Sequence, residues 1–500
     1  MTLAIIKCRA QVGIHAPPVS VEVHLSNGLP QMSIVGLPET AVKESKDRVR
    51  SALLNSQFEF PAKRITINLS PADLPKEGGR FDLPIALGIL VASGQIASPL
   101  LDQFEFAGEL ALDGALRRIA GALPFAHAAK KAGHDLMIPG SNAEEAALIP
   151  NLAIYTAEHL LDVCRHLIGQ QKIAPFISKV PYNTETIFRD LADVKGQHQA
   201  KRALEVAAAG GHNLLLFGPP GTGKTMLASR LPGILPPLPI DKAIEVAAIA
   251  SVRGGVDISK HFGERPFRHP HHTASAVAMA GGGSSPKPGE ISLAHCGVLF
   301  LDELPEFDRK VLEVLREPLE SGVVTISRAA QNVEYPAKFQ LVAAMNPCPC
   351  GYYGSVQRPC VCSEPQIQRY RHKISGPLLD RIDLHIKVPE LPRGILFNQA
   401  LTSEPSVAVR ARVVQAQQVQ YQRQGKLNHE LQGKSLEQYC VLEPSLRQFL
   451  DQAMDKFKLS ARASHRVIKV ARTIADLAGK SNIELAQLAE ALSFREATLH

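Results

Sequence analysis

The residues best suited to chemistry start at Gly218-Pro219-Pro220-Gly221-Thr222-Gly223-Lys224-Thr225. The apolar run Asn213 to Phe217 precedes them and the helix-forming Met226-Leu-Ala-Ser-Arg230 follows, the strand, loop and helix order of a phosphate-binding loop. Gly218, Gly221 and Gly223 let backbone N–H groups turn toward phosphate oxygens. Lys224 brings charge to the β and γ phosphates, and the Thr225 hydroxyl is a ligand for Mg2+. Residues from Gly218 to Met226, with Pro219, Pro220 and Thr222 shaping the turn, form the candidate nucleotide cradle. A second apolar run, Gly297 to Leu301, ends in Asp302-Glu303. Two carboxylates just past a buried strand suit Mg2+ binding by Asp302 and polarisation of the attacking water by Glu303. A third run, Phe339 to Ala344, leads to Asn346, whose amide suits a water beside the γ-phosphate. In Leu378-Leu-Asp-Arg-Ile-Asp383, Arg381 has two readings. It is the arginine that oligomeric ATPases present to a neighbouring subunit's γ-phosphate, or it belongs to a local ion network with Asp380 and Asp383.

Eight cysteines are too few to staple 500 residues, and Cys348, Cys350, Cys360 and Cys362 fall within fifteen positions. That is the spacing of a metal site, in which four thiolates close a tetrahedron around Zn2+ and fold the loop between them. Reduced, unmetallated cysteines are the other reading. His269, His271 and His272 sit beside Arg265 and Arg268 in a Gly-rich stretch, which suits a mobile polar loop better than a ligand set.

These residues need rigid elements to hold them. At 45% hydrophobic and 21% charged, the composition is ordinary for a globular chain, and the length predicts about three domains. The longest apolar run, Leu83 to Ala92, is about half the roughly 20 residues that a membrane-crossing helix needs. Lys7 and Arg9 interrupt the amino terminus before a secretory core can form, so a cytoplasmic location is expected. The net charge of +7 permits a polyanionic partner. With no Trp and 5% aromatic residues, stacking on bases must be sparse and phosphates must carry any nucleic-acid contact.

Short β-rich segments, Val21 to Leu25 and Arg64 to Leu69, alternate with helical stretches in an α+β domain over 1–170. A linker with Pro175 and Pro181 covers 171–186. Strands and helices then alternate through 187–390 as in a parallel sheet covered on both faces, so the fold class is α/β with a nucleotide-binding core. Residues 391–500 read as a small helical lid. Ser406 to Arg472 carries 12 Lys/Arg against 5 Asp/Glu, either a solvated face or one that meets phosphate.

The order of phosphate loop, Asp-Glu strand, Asn strand and Leu-Leu-Asp-Arg resembles an AAA+ ATPase with a P-loop core. The wording between them is similar to the ComM/YifB family of magnesium-chelatase-like AAA+ ATPases. It includes Pro266-Phe-Arg-His-Pro-His-His-Thr273, Gly281-Gly-Gly, Pro288-Gly-Glu-Ile-Ser-Leu-Ala-His295, Leu301-Asp-Glu-Leu-Pro-Glu-Phe307 and Met345-Asn-Pro-Cys-Pro-Cys-Gly351. The match runs over nearly the whole chain. One departure is Cys296, where a polar Asn is expected.

By that resemblance the protein is an ATP- and Mg2+-dependent homohexameric ring, a helicase that promotes branch migration of recombination intermediates in natural transformation. Asp193 to Gln197 would lie near the adenine, and Arg462 in Ser460-Ala-Arg462 would be the lid arginine that reaches the γ-phosphate, with Arg466 the alternative. In related ring ATPases two inserted elements line the pore and grip DNA. Here they are Arg268 to Glu290 and a β-hairpin formed by Val323 to Arg328 and Asn332 to Tyr335, with Arg268, Lys287 and Arg328 as the DNA-binding candidates. A chelatase-like ATPase that remodels a protein partner is the alternative.

The amino-terminal domain resembles the Lon-protease peptidase domain, which shares its fold with a ribosomal S5-like module. Arg80 stands where Lon carries its nucleophilic Ser, and Phe125 stands where Lon carries the activating Lys. Ser-Lys hydrolysis therefore has no chemistry to run, and a scaffold or DNA-facing role is expected.

Overall fold

Val19, Val21, Val23 and Leu25 alternate along Pro18–Ser26 and all turn inward, the period-2 pattern of a half-buried strand. The computed structural model describes residues 3–178, 189–255, 258–283, 286–328, 331–391, 403–457 and 459–496, and the side chains of Arg328, Gln331 and Glu496 lie outside this set. The chain forms two units, Met1–Thr184 with Pro239–Gly263, and Glu185–Leu238 with Glu264–His500.

In the first unit, β1 (Leu3–Arg9), β2 (Pro18–Ser26), β3 (Gln31–Val35) and β4 (Arg64–Ser70) form a sheet ordered β1-β2-β4-β3. The neighbours are antiparallel except β3 and β4. The apolar run noted above becomes the helix Asp82–Ala92, in which every residue except Val91 is buried. It packs on β1 and β2 so closely that a Cβ on Gly88 would stand 2.5 Å from Val23. A parallel sheet of β5 (Phe104–Phe106), β6 (Asp135–Pro139) and β7 (Ile154–Ala157) completes the unit. Arg9 spans the two sheets with a bidentate grip on buried Glu105, at 2.5 and 2.6 Å. Arg80 is buried and donates to the Ala120 carbonyl, and Phe125 is fully buried. The helix Ile240–Arg253 belongs to this unit and packs on the helix Ala122–Ala132, although in the sequence it interrupts the nucleotide-binding segment.

The second unit holds β8 (Leu214–Phe217), β9 (Phe267–Arg268), β10 (Val298–Leu301), β11 (Val323–Arg328), β12 (Gln331–Pro336), β13 (Gln340–Met345) and β14 (Leu384–Lys387). Five of them form one parallel sheet in the order β9-β10-β13-β8-β14. β10 and β13 are buried along their whole length, as expected for parallel strands covered on both faces. In chain order β8 is followed by β9, β10 and β13 on one of its sides and then by β14 on the other, and ligands of open α/β sheets bind at such a reversal, beyond the carboxyl ends of the strands. β11 and β12 pair as the expected hairpin, with Arg328 opposite Gln331.

The helices Ser406–Gln424, Pro444–Phe457, Ala461–Leu477 and Leu485–Glu496 pack into the same hydrophobic core as the sheet. Their basic surplus is largely consumed inside the unit. Arg412 pairs with Glu205 and Glu404, Arg423 and Arg472 share Asp476, and Arg466 pairs with Asp383. Arg410 and Lys469 donate to the carbonyls of Gly233 and His429. Arg410, Arg412 and Arg466 thus staple lid to core, while Arg423, Lys469 and Arg472 join lid elements to one another, an outcome that neither a solvated nor a phosphate-facing basic face anticipates. No helix among the described residues is long and apolar enough to cross a membrane.

Candidate nucleotide-hydrolysis site

β8 delivers its chain to Gly218, whose missing Cβ matters: a Cβ there would lie 2.2 Å from the Val388 carbonyl oxygen after β14. Gly223, at φ 88°, then takes the left-handed conformation that starts the helix Lys224–Ala228 and that a side chain would strain. Lys224 is folded back into the loop. Its ammonium donates to the carbonyls of Gly218 and Pro219 at 2.8 and 2.9 Å and to Asn346 Oδ1 at 3.1 Å. Burial lowers its pKa to about 8, against the opposing pull of Asp302 and Glu303. The lysine therefore loses its charge as pH rises through that value. Nucleotide affinity is expected to weaken by up to about tenfold between pH 7 and pH 9. Titration calorimetry at a series of pH values checks this, and constant affinity would show that Lys224 keeps its proton throughout.

β10 and β13 bring the other three groups. The Thr225 hydroxyl donates to Asp302 Oδ2 at 2.6 Å, so both Mg2+ candidates already share one spot. Asp302 Oδ1 accepts the backbone N–H of Glu303 at 2.9 Å. Glu303 itself sits at φ 52°, ψ 47°, a left-handed conformation that is uncommon outside glycine, Asn and Asp and that clusters at functional sites. Gln197, also left-handed at φ 51°, donates to the carbonyls of Thr222 and Pro389 at 3.3 and 2.8 Å. It joins the phosphate loop to the segment after β14. Cys296 lies at φ 57°, which accounts for the Asn expected there, since Asn tolerates this region best.

The Arg381 guanidinium finds its partners outside that cluster. It is buried, donates to the Pro377 carbonyl at 2.6 Å and pairs with exposed Glu320, while its Nε makes no hydrogen bond. Burial lowers its pKa, Glu320 opposes this, and Arg316, Arg462 and Arg466 add to it. Arg381, Arg462 and Arg466 thus belong to one electropositive cluster, and the partner of Arg381 is Glu320 instead of Asp380 or Asp383. Arg462 is exposed on the first turn of Ala461–Leu477. Arg466 donates to Asp383 Oδ1 at 2.5 Å and to the Arg381 carbonyl at 3.1 Å. Burial pushes the Asp383 carboxyl up, yet Arg466, His212 and the Asn213 amide hold it well below the usual carboxylate range.

The two inserted elements meet each other. The Tyr335 hydroxyl in β12 donates to the Pro286 carbonyl at 2.8 Å, and a Cβ on Gly281 would lie 2.8 Å from Ile326 in β11. Lys287 is exposed on the short strand Lys287–Pro288. Arg268 is already engaged, with Nε and Nη2 on the two oxygens of Glu290 at 2.7 and 2.8 Å.

Cys348, Cys350, Cys360 and Cys362 converge, with all four sulfurs within 4.8 Å of one another and the nearest pairs at 3.4 to 3.6 Å. Zinc bonded to four thiolates at about 2.3 Å would set sulfurs about 3.8 Å apart, so the cluster fits Zn2+ after a small expansion. The amides of Tyr353, Cys350 and Cys362 donate to Cys348, Cys362 and Cys360 at 3.3 to 3.4 Å, as suits thiolate ligands. The knuckle also touches the nucleotide loop, because a Cβ on Gly351 would lie 2.9 Å from Pro220.

Three family models match in succession. They are "Subunit ChlI of Mg-chelatase" over residues 21–142, "Magnesium chelatase, subunit ChlI" over 190–396 and "Magnesium chelatase, subunit ChlI C-terminal" over 403–495. Among curated proteins, Competence protein ComM of Haemophilus influenzae is 53% identical over 500 residues, 99% of this chain and 98% of the relative. YifB of Salmonella typhimurium is 52% identical over 497 residues, 99% and 97%. This chain belongs to the ComM/YifB family of magnesium-chelatase-like ATPases. YifB of Escherichia coli, 51% identical over 500 residues, falls in the same group. ComM/YifB membership implies an ATPase that uses ATP and Mg2+, and the site described above supplies groups suited to both.

Gln197, expected near the adenine by resemblance alone, is placed by its left-handed backbone, which no local string announces. Position-by-position reading of the sequence missed one contributor. His272 stands beside Glu303, with Nδ1 3.2 Å from Oε2. β9 and β10 pair in parallel with Arg268 opposite Leu299, and His272 and Glu303 each follow four residues further along the chain, a register that no single stretch of sequence announces.

Proposed function

We propose that this ComM/YifB-family chain is an ATP-driven DNA motor that assembles as a homohexameric ring and promotes branch migration of recombination intermediates during natural transformation. The observation that carries the reading is near-full-length likeness to a protein named Competence protein ComM. Lys224 neutralises phosphate charge, Thr225 and Asp302 hold Mg2+, Glu303 takes the proton of the attacking water, and Asn346 orients that water. Arg381 reaches the γ-phosphate of a neighbouring subunit, which its unsatisfied Nε supports, and Arg462 is the lid arginine that reaches the γ-phosphate. The joined insertion and hairpin grip DNA phosphates through Lys287 and Arg328, and through Arg268 once it exchanges Glu290 for phosphate.

Residues 1–170 together with Pro239–Gly263 act as a Lon/S5-like scaffold without peptidase activity, 171–186 as linker, the remainder of 187–390 as AAA+ core and 391–500 as lid. The four-cysteine knuckle holds zinc. Metal analysis of purified protein is expected to find about one zinc per chain, lost when Cys348 and Cys360 are both changed to Ser. Protein free of zinc would remove the metal from the account.

A synthetic four-way junction incubated with the protein and Mg-ATP is expected to resolve into duplex products, and Glu303→Gln is expected to leave it intact. An unprocessed junction, alongside ATP turnover that DNA leaves unchanged, would favour the second reading. That reading is a chelatase-like ATPase remodelling a protein partner, and the chelatase-subunit models matched along the chain support it.

A further inference from the structure

Arg466 is committed to partners that keep it from serving as a phosphate-reaching lid arginine. Its Nη1 donates to Oδ1 of buried Asp383 at 2.5 Å and to the Arg381 carbonyl at 3.1 Å. Drawing that guanidinium away would leave a buried carboxylate without its cation, a strongly unfavourable state. The other Asp383 oxygen accepts the backbone N–H of Asn213, the residue before β8, at 2.9 Å. The carboxylate therefore bridges the sheet and the helix Ala461–Leu477.

Arg381 hangs from the same anchor. Its carbonyl accepts Arg466 and also the Asn213 side-chain amide at 3.0 Å. Buried Arg495, on the helix Leu485–Glu496, donates to the next two carbonyls, Ile382 at 2.6 Å and Asp383 at 3.2 Å. Two lid helices thus hold three consecutive carbonyls, and the backbone that carries Arg381 is set from the lid. The Arg381 guanidinium is held by the Pro377 carbonyl and exposed Glu320, so its head group can be handed to another anion while its backbone stays fixed. Such placement matters, because misplacing a reacting or stabilising group by about 1 Å can cost 10²-fold in rate.

Arg462 and Arg466 are four residues apart on Ala461–Leu477 and share one face of that helix. Exposed Arg462, on the first turn, is the arginine proposed to reach the subunit's own γ-phosphate. Arg466, one turn on, grips the backbone of the arginine proposed to serve the neighbour. We propose that Arg466 is a positioning residue for Arg381: through Asp383 and the Arg381 carbonyl it fixes the arginine that a subunit presents to its neighbour, so the helix that meets one nucleotide sets hydrolysis at the next. The inference rests on the reading of Arg381 as an arginine that acts between subunits.

The test mixes full-length variants. Arg466→Lys keeps a cation for Asp383 on a flexible stem and gives up the planar group that meets both acceptors. It is expected to bind Mg-ATP like wild type and to lose about tenfold or more in turnover. Mixing it with Glu303→Gln should raise turnover above either variant alone. Where an Arg466→Lys subunit holds the nucleotide and a Glu303→Gln subunit is its neighbour, an intact Glu303 faces a well-placed Arg381. An arginine that acts on its own subunit's nucleotide, or a merely structural one, gives no such rescue, because every site in the mixture then lacks either its own Arg466 or its own Glu303. Arg381→Ala mixed with Glu303→Gln is the control. Rescue in the control but not with Arg466→Lys overturns the inference and leaves the role of Arg381 standing. No rescue in the control overturns the reading of Arg381 and the inference with it. Arg466→Lys turning over at the wild-type rate also overturns the inference. Should Arg466→Lys melt well below wild type, Arg466→Gln goes through the same mixtures and the same outcomes decide.

Discussion

Glu303→Gln is expected to bind Mg-ATP as tightly as wild type and to hydrolyse it about 10²- to 10⁴-fold more slowly, the range that positioned general bases command. The substitution keeps the size and hydrogen bonding of the side chain and removes the capacity to take a proton. Lys224→Ala should separate from it cleanly, by losing nucleotide affinity about 10- to 100-fold through the missing charge-assisted contacts to phosphate. In the free chain that ammonium already sits among the carbonyls of Gly218 and Pro219 and the Asn346 amide, so phosphate replaces existing partners and the loop is pre-shaped. Fluorescent-nucleotide binding and steady-state phosphate release on both variants check the split. Normal turnover in Glu303→Gln would remove the carboxylate from its role.

Arg381→Ala is expected to bind ATP and to lose about 10³-fold or more in turnover, the scale of an arginine that stabilises a phosphoryl-transfer transition state. Its most informative property should emerge on mixing. An Arg381→Ala subunit still carries Glu303, and a Glu303→Gln subunit still carries Arg381, so a mixed ring contains some interfaces with both groups intact. Turnover that rises above either variant alone, and peaks at intermediate ratios, is the expected result. If Arg381 serves only its pairing with Glu320, no ratio restores activity, and the loss should appear instead as a lower melting temperature.

What could be read from the sequence was what is local. The phosphate loop, the Asp302-Glu303 pair and Asn346 each follow an apolar run, and strand plus terminal polar residue is a short-range pattern. The β11–β12 hairpin was legible for the same reason. Long-range partners were not. The chemistry of Arg268 as a free cation depends on Glu290, twenty-two residues away, and the basic surplus of the lid depends on carboxylates of other helices such as Glu205 and Asp476. The helix Ile240–Arg253 has the same periodicity whichever unit it packs on, so its grouping with the amino-terminal elements had no signal in its own residues. His272 read as a polar loop residue because a parallel register, which no single segment contains, is what brings it to Glu303.

The central claim is that hydrolysis at the Lys224, Asp302, Glu303 and Asn346 site is coupled to DNA, and the rate of ATP turnover measured with and without DNA tests it most directly. Single-stranded, duplex and four-way-junction DNA would each be titrated into wild-type protein with saturating Mg-ATP, with Glu303→Gln as the blank. The account predicts turnover that rises several-fold with at least one of these DNAs. It also predicts that the DNA concentration needed for half the effect increases steeply with salt, because neutralised phosphates release counterions. A turnover rate that is abolished in Glu303→Gln yet identical in wild type with every DNA and at every salt concentration would contradict it.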